Sequence, residues 1–503
     1  MRKTGFFEKE RFWLVFALIF GLVFFRYCYF GFQYFPQLDD YIQMHNQSAY
    51  YTAKQVILDM GLLSSRPLAS VGDYFLWGRF WECMIVLVGL LSAMYAASAM
   101  LFRRVWGQYF GTGYLFLTIY ALLPLGMEGT YWVSASTRVI PALFLTALAM
   151  WLFQKWCKDG KWPMLALYFV VQLLSYCFYE QGLVLCVTGV LLVGLLEFKV
   201  ERKRSLLALL TFVNVGIYFA FTGYFSTSAG QLGSRLKLTL PWQAGWDEVF
   251  KSAVSQTGNA YVMGAWKTAT RGFRRGLEVI FSDFNFLWVL VLIALCALLF
   301  FAAKKYTGTS TRTPTALVVG FLFALAPVTL FFVLSEPSIG LRNTVFSFCG
   351  LALMADALFS LIIRKVPHRD ALTGAVCAVL ALIFCVAAVS ELSDYRQTCE
   401  NDRRAGAAVR AALDEGQGVP VGTQVAVVGL QGNYLPEQNF LYHEHIHGAT
   451  ESSWAFTGLL ACESDNWLFP YTTPIPSAEG IDLSGYGIVL YYDHAQGVAT
   501  IKE

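Results

Sequence analysis

Charge is scarce in this sequence. Only 14% of the 503 residues are Asp, Glu, Lys or Arg, whereas a soluble protein usually has about 25%. The formal net charge of +3 is too small to indicate nucleic-acid binding, and no basic stripe with interleaved aromatic residues lies outside the loops. Hydrophobic residues reach 56%. The composition therefore excludes an ordinary soluble domain and predicts a multi-pass membrane protein.

Two other features are absent. No internal repeat is visible, and the eleven cysteines include no pair at metal-ligand spacing. Most of them, such as Cys177 and Cys186, lie within apolar runs, where a thiol behaves as a small buried hydrophobic group. The cysteines therefore give no indication of a structural zinc site.

Long apolar runs, in contrast, are abundant. A hydrocarbon core about 30 Å thick requires roughly 20 apolar residues per helix. The first run follows a basic N-terminal stretch and has no small-residue cleavage site, so we interpret it as a retained anchor. The sequence predicts eleven spans, at residues 12–32, 80–102, 108–125, 139–155, 163–179, 182–198, 205–225, 285–303, 315–334, 344–363 and 371–391.

The loops between these runs alternate in charge. The positive-inside rule places basic loops in the cytoplasm, together with the basic N-terminus. Eleven spans then put the C-terminus on the opposite side. We therefore expect a bacterial plasma-membrane protein with a cytoplasmic N-terminus and an extracytoplasmic C-terminal domain. The basic loops are residues 103–104, 155–161, 197–204, 304–305 and 364–369.

The predicted fold class is an all-α polytopic membrane domain followed by a small α/β domain. The membrane domain covers residues 1–391 and includes two long outer loops, at 33–79 and 226–284. Residues 392–503 are mostly polar and numerous enough for a small domain.

Within this C-terminal domain, the pattern predicts a helix at 403–416 and strands at 423–430 and 487–493. Cys399 and Cys462 would both face an oxidising space, where a disulfide between them is one alternative.

Charged residues recur where predicted spans end on the outer side. Charges at membrane depth are costly and usually line a cavity or pair with one another. Each has a simpler interpretation as a solvated loop charge, and for Glu180 that alternative is an ion pair, for example with Arg138. The candidates are Asp39, Asp40, Arg66, Glu128, Arg138, Glu180, Glu336 and Arg342.

Asp39 and Asp40 are the strongest of these candidates. Adjacent carboxylates disfavour each other's ionisation, which raises one pKa toward the range of a general base. The loop that follows has helical spacing up to Gly61, and the segment 66–80 predicts a second short helix. An acid at this place can reach a lipid-borne phosphate ester and a hydroxyl in water together.

These residues carry a resemblance to a known class. The acidic pair after the first span, the helical first loop and the external C-terminal domain resemble the GT-C class of membrane glycosyltransferases. Within that class, "LDDY" followed by "SRPL" is similar to the bacterial Gtr-type glucosyltransferases that decorate surface polysaccharide. The resemblance implies an inverting hexosyltransferase that takes sugar from a polyprenyl-phosphate donor on the outer face.

The same resemblance suggests roles for the candidates. One of Asp39 and Asp40 would deprotonate an acceptor hydroxyl on a surface glycan or lipid-linked acceptor. Arg342 or Arg138 could hold the donor phosphate, since a guanidinium offers two parallel hydrogen bonds, and Arg66 would share that role or brace the loop. A divalent metal, Mg²⁺ or Mn²⁺, is the alternative source of positive charge.

Several features stay open. The alternating histidines of "HEHIH" (443–447) suggest either a metal site or a polar loop. Exposed-looking aromatics in the tail could stack on sugars or pack on the membrane domain, and the basic residues of loop 226–284 could contact lipid headgroups or only solvent. The tail aromatics are Trp454, Trp467 and Tyr471, and the loop residues are Arg235, Lys237, Arg271, Arg274 and Arg275.

Other functions compete with sugar transfer. A transporter or lipid flippase usually has internal repeats and broken helices at the membrane centre. A polysaccharide polymerase or ligase would share the lipid-phosphate donor, with arginines rather than an acidic pair dominating its site. A non-catalytic envelope protein that binds a partner through its tail is the third alternative.

Overall fold

A computed structural model describes residues 12–226, 238–305, 312–432 and 447–501. Eight helices in this part of the chain are long and apolar enough to cross a membrane. The chain is therefore a multi-pass, mostly α-helical membrane protein, as predicted, but the prediction of eleven spans is wrong. The eight are Trp77–Phe110, Val133–Asp159, Glu180–Glu197, Arg202–Phe225, Phe286–Lys305, Thr313–Phe332, Leu341–Lys365 and Arg369–Ala412.

Three of the predicted spans form shorter helices instead. Phe12–Phe25 and Trp162–Tyr176 have 14 and 15 residues, which gives about 21 to 23 Å of helix against a core of about 30 Å. The run 108–125 yields only Tyr114–Leu122, because Gly111 ends the preceding helix with a φ of 71° and Pro124 follows closely. That short helix is buried almost throughout. Apolar composition was therefore not enough to identify a span.

The α-helices of eight or more residues are numbered here in chain order. They are α1 Phe12–Phe25, α2 Pro67–Phe75, α3 Met84–Phe110, α4 Tyr114–Leu122, α5 Val133–Asp159, α6 Trp162–Tyr176, α7 Glu180–Glu197, α8 Leu210–Phe225, α9 Trp246–Gly258, α10 Phe273–Ser282, α11 Phe286–Lys305, α12 Thr313–Leu325, α13 Phe348–Ile362, α14 Arg369–Ala412 and α15 Ser453–Ser464.

Two of the predicted basic loops, 155–161 and 197–204, meet at one end of the helices, next to the end of α3. Arg204 donates to the carbonyl oxygen of Cys157 at 3.1 Å, and Tyr109 donates to Glu197 at 2.6 Å. The first loop (residues 33–79) lies at the other end, which we call the site end, where it contacts the beginnings of α5 and α7. These two basic loops therefore lie at the end opposite the first loop, and the side of the membrane that each end faces stays a prediction.

The first loop is largely helical, as its spacing predicted. It forms π-helical turns at Tyr41–Asn46 and Gln55–Asp59, and the helix α2. Gly61 has a φ of 67°, which only glycine adopts at little cost, and it ends the first helical part at the predicted position.

The C-terminal domain begins inside a helix rather than after one. Helix α14 has 44 residues, so it runs about 66 Å and extends far beyond the hydrocarbon core. The predicted boundary at 391–392 lies within it, and the predicted helix at 403–416 is its last part with one 3₁₀ turn. Cys399 and Cys462 are both free thiols in the structure.

A four-stranded sheet follows, in the order β2-β1-β3-β4. Both neighbours of β1 are parallel to it, and β4 is antiparallel to β3. The two predicted strands are confirmed as β1 and β3, whereas β2 and β4 were missed. Strand β2 contains Pro474 and is an edge strand, where proline is tolerated. The strands are β1 Gln424–Val428, β2 Tyr471–Ile475, β3 Ile488–Asp493 and β4 Val498–Ile501.

Candidate functional site: an acidic cluster and a charged cavity

Asp40 is fully buried and accepts hydrogen bonds from two separate parts of the chain. Its Oδ1 accepts from the N–H of Ser134 at 2.9 Å and from the Ser134 hydroxyl at 2.6 Å. Its Oδ2 accepts from the Tyr34 hydroxyl at 2.6 Å and the Gln37 N–H at 3.0 Å. Burial raises the pKa of Asp40 to about 6, although these hydrogen bonds lower it in part. Since Ser134 opens α5, Asp40 fastens the first loop to the N-terminus of that helix.

Asp39 is half-buried and lies in a different environment. It accepts a hydrogen bond from Gln43 at 3.2 Å. Arg138 donates to the side-chain amide oxygen Oε1 of Gln43 at 2.8 Å and to Oδ2 of Asp73 at 2.9 Å. Burial raises the pKa of Asp73 to about 6, Arg138 lowers it, and the charge of Asp39 raises it. Asp39, Gln43, Asp73 and Arg138 therefore form one interacting group, which we call the Asp39 cluster.

Glu180 pairs with Arg66, not with Arg138 as suggested from the sequence. The Arg66 Nε lies 3.0 Å from each carboxylate oxygen of Glu180, and Nη2 lies 2.9 Å from Oε2. The guanidinium also lies 4.1 Å from the ring centre of Tyr179, within cation–π range. This pair joins the start of α2 to the start of α7. Arg138 is not available to Glu180 because α2 places Asp73 beside it.

Arg342 and Glu128 form a looser pair. The Nη1 of Arg342 is 3.6 Å from Oε1 of Glu128, an ion-pair distance that is too long for a hydrogen bond. Glu128 is buried, whereas the Arg342 side chain is 29% exposed. Arg342 also lies over the ring of Trp132 at 5.4 Å. The Arg66 side chain is similarly exposed, at 33%, so the two arginines differ in the length of their carboxylate contacts rather than in exposure.

Both arginines line a cavity of about 1450 Å³ at the site end. Its wall combines polar side chains with apolar ones, such as Phe219 and Phe331. The Asp39 cluster is not part of the lining. Helix α2 connects the cavity to this cluster, because Arg66 directly precedes the helix and Asp73 lies within it. Arg66 and Asp73 are seven residues apart, which is roughly 10 Å along the helix axis. The charged and histidine residues of the lining are Arg66, Glu128, Glu180, Lys267, Glu336, Arg342 and His447.

Lys267 was not predicted from the sequence as a site residue, and His447 was considered only as part of a metal site or polar loop at 443–447. Lys267 is half-buried and makes no ion pair within the described part of the chain. His447 lies 3.6 Å from Glu451 through its Nδ1 and brings the C-terminal domain to the cavity. It is the only residue of "HEHIH" inside the described ranges, since 443–446 lie outside them, as do Arg235 and Lys237. Glu336 is exposed at the rim.

The described residues do not fit a divalent metal. Among residues 12–226, 238–305, 312–432 and 447–501, no group of three or more His, Cys, Asp or Glu side chains could hold an ion. In the Asp39 cluster the second carboxylate, Asp73, already binds the guanidinium of Arg138.

Comparison with known proteins finds no family model that matches this chain and no curated protein that matches its sequence. The function is therefore inferred from the cavity, the Asp39 cluster and the resemblance described above.

Proposed function

We propose that this protein is a membrane glycosyltransferase that moves a sugar from a polyprenyl-phosphate donor to a surface glycan or lipid-linked acceptor. The observation that carries the proposal is the mixed lining of the cavity. Arg66, Lys267 and Arg342 supply positive charge, and apolar side chains of α8 continue the wall. A polyprenyl-phosphate donor also combines an anionic phosphate with a long apolar chain, so it matches a wall that is partly basic and partly apolar.

The donor phosphate is assigned to Arg342 and Lys267. The contact of Arg342 to Glu128 is 3.6 Å long, and Lys267 has no competing ion pair in the described chain. Arg66 is held by three short contacts to Glu180, so it braces the loop and contributes its charge at a distance. This division follows from how tightly each cation is already bound.

Asp39 is assigned as the general base. It takes the proton of the acceptor hydroxyl, the oxygen attacks the anomeric carbon, and the bond from that carbon to the phosphate oxygen breaks with inversion. The cations stabilise the departing polyprenyl phosphate. Asp40, with both oxygens already occupied, positions Asp39 and does not react.

Mass spectrometry of surface glycans tests this proposal. Cells without the gene should lack one hexose, and cells with Asp39→Asn should show the same loss while the protein is present in the membrane at wild-type level. The matched control is Asp59→Asn, an exposed carboxylate of the same loop that does not line the cavity, which should keep the modification. Unchanged glycans in the Asp39→Asn strain would contradict the assignment of Asp39 as the base. Unchanged glycans in cells without the gene would contradict the proposed activity.

A second candidate is a polysaccharide polymerase or ligase. The observation that favours it is the cavity lining, which contains two arginines and a lysine but neither Asp39 nor Asp40. Such an enzyme would lose long or lipid-attached polysaccharide in Arg342→Ala and keep it in Asp39→Asn. Gel electrophoresis of the surface polysaccharide separates the two functions, since the glycosyltransferase leaves chain length unchanged.

The proposed side of the membrane follows from the loop charges. Basic loops meet at the end opposite the cavity, which supports a bacterial plasma-membrane protein whose site end and C-terminal domain are extracytoplasmic. An impermeant thiol reagent should then label a cysteine placed at exposed Val421 in intact spheroplasts. If that cysteine is labelled only after lysis, the C-terminal domain is cytoplasmic and the assigned orientation is wrong.

A further inference from the structure

Residues 246–282 form a nearly continuous helical segment between two membrane spans. It consists of α9, π-helical turns at Asn259–Met263 and Thr268–Gly272 with a short α-turn between them, and α10. One side of its second half packs against the bundle through small side chains at every fourth position. These buried residues are Ala260, Gly264, Thr268, Gly272, Gly276 and Ile280.

A row of apolar side chains is exposed along the first part of the segment. Val262 and Trp266 are 69% and 66% exposed, and Phe250 and Val254 are 40% and 47% exposed. The four lie at steps of four or eight residues, so they form one row. Val262 and Trp266 lie opposite the buried side, whereas Phe250 and Val254 directly follow the buried Val249 and Ala253. Towards the C-terminal end the row becomes charged, with Arg274 paired to Glu278. Exposed apolar rows of this kind mark a contact with lipid or with another protein.

The depth of the segment favours lipid. Trp246 donates to the carbonyl oxygen of Phe332, the last residue of a span, at 2.9 Å. Gly276 packs directly on the backbone of Val386, five residues before Glu391, where the uncharged stretch of α14 ends. The segment therefore crosses the helices where their apolar parts give way to polar ones. The exposed residues of α8 and α11, the spans on either side of the segment in the chain, are also largely apolar.

We propose that residues 246–282 form an interfacial helix whose row Phe250, Val254, Val262 and Trp266 inserts into the acyl chains of the bilayer. An amphipathic helix at this depth buries its apolar face at the boundary between headgroups and chains. Its other side contributes Gln256, Asn259 and Lys267 to the cavity, so this one helix separates the cavity from the surrounding lipid.

Fluorescence quenching by lipid tests the insertion. The full chain is placed in phosphatidylcholine vesicles with or without bromine on the acyl chains, which quenches only tryptophans that touch them. Trp266→Phe should reduce the lipid-quenched emission, and adding Val262→Trp to that variant should restore it. The matched control is Trp467→Phe, which removes an exposed tryptophan of the C-terminal domain and should leave the lipid-quenched emission unchanged.

Two results would overturn this inference. If Trp266→Phe reduces quenching by aqueous iodide and not by brominated lipid, the row faces water. If neither quencher reaches Trp266, another protein surface covers it. Because tryptophan quenching does not depend on sugar transfer, the result is independent of the proposed activity.

Discussion

At the scale of single residues, Asp39 and Asp40 have opposite environments although they are neighbours. In Asp40→Asn, an NH₂ group replaces one carboxylate oxygen. At least one of the N–H and O–H groups that now donate to Asp40 would then lose its acceptor. A buried donor left without an acceptor costs about 1–3 kcal/mol. We therefore expect Asp40→Asn to lower the thermal unfolding temperature of the detergent-solubilised protein by several degrees.

Asp39→Asn is the matched control for that measurement. Asp39→Asn keeps one side-chain oxygen that can still accept from Gln43, so the loss of stability should be smaller than for Asp40→Asn, below about 1 kcal/mol. Equal unfolding temperatures for the two variants would contradict the assignment of Asp40 as the positioning residue.

The raised pKa of Asp40 also predicts a pH dependence. Its pKa is about 6 in the folded protein and about 3.9 in an unfolded chain. Between these values the folded state holds more protons, so the free energy of unfolding falls as pH rises from about 4 to about 6. Asp73 acts in the same direction, because its pKa is also raised to about 6.

Thermal melts across this pH range measure the effect. The slope should become shallower in Asp73→Asn, which removes one of the two titrating groups, and the wild type should show no further loss from these groups above pH 7. A stability that rises from pH 4 to pH 6 in the wild type would contradict the assignment.

The sequence indicated where charged residues concentrate but not how they pair. Arg66 meets Glu180 across 114 residues, and Arg138 meets Asp73 across 65. Only the packing of α2 against the bundle decides these partners. Asp73 itself was overlooked because it follows an uncharged stretch, "PLASVG", that predicted a helix lying on the membrane.

At the scale of elements, the interfacial helix has small buried residues at every fourth position, and this spacing is matched by π-helical turns. Four residues rotate an α-helix by about 400°, so a stripe at every fourth position drifts by about 40° per step. The wider π turns at Asn259–Met263 and Thr268–Gly272 compensate for this drift and keep the stripe against the bundle. Such turns are rare and often occur at functional sites.

Gly276 is the position in this stripe where side-chain volume matters most. A Cβ there would lie 2.0 Å from the backbone oxygen of Val386, which cannot rotate away. Gly276→Ala should therefore destabilise the protein by about 1–3 kcal/mol, observed as a lower thermal unfolding temperature. In Gly258→Ala no atom lies within 4 Å of the new Cβ, so helix propensity should make that control neutral or slightly stabilising.

A neutral Gly276→Ala would mean that α10 is not held against α14 as the structure places it. The fourfold period was present in the sequence, but the segment 226–284 was interpreted only as a loop with basic residues. Hydropathy scanning detects uniformly apolar runs, and a helix with one apolar side at the boundary of the membrane has none. The same method counted α1, α4 and α6 as full spans because it measures composition rather than helix length.

At the scale of the whole molecule, the C-terminal domain packs against the segment that carries Asp39. Helix α15 lies on the π-helical turn Tyr41–Asn46, where Asn46 donates to the carbonyl oxygen of Gly458 at 3.2 Å. Tyr50 donates to Asp465 at 2.8 Å, and Gln37 donates to the carbonyl oxygen of Tyr395 on α14 at 2.8 Å. The first loop is therefore held between α5, α14 and α15. Nothing in the local sequence predicts this contact, because it joins positions about four hundred residues apart.

This contact predicts that α15 sets the position of Asp39. A Cβ on Gly458 would lie 2.3 Å from the Cδ1 of Ile42, and the N–H of Ile42 bonds the carbonyl oxygen of Asp39 at 3.1 Å. Since a displacement of about 1 Å can cost 10²-fold in rate, Gly458→Ala should lower kcat for sugar transfer by about 10- to 100-fold. The KM for the donor should not change, because neither residue lines the cavity.

Rescue distinguishes positioning from general damage to the domain. Ile42→Val removes the Cδ1 atom that would meet the new methyl group, so the double variant Gly458→Ala/Ile42→Val should recover most of the lost kcat. Gly485→Ala is the control in the same domain, since no atom lies within 4 Å of its added Cβ, and it should behave as wild type. Suppose that Ile42→Val fails to restore kcat while the Gly458→Ala protein melts at the wild-type temperature. The loss of kcat then does not result from a displacement of the first loop by α15. If Gly458→Ala transfers sugar normally, α15 and the Asp39 segment are neighbours without being coupled.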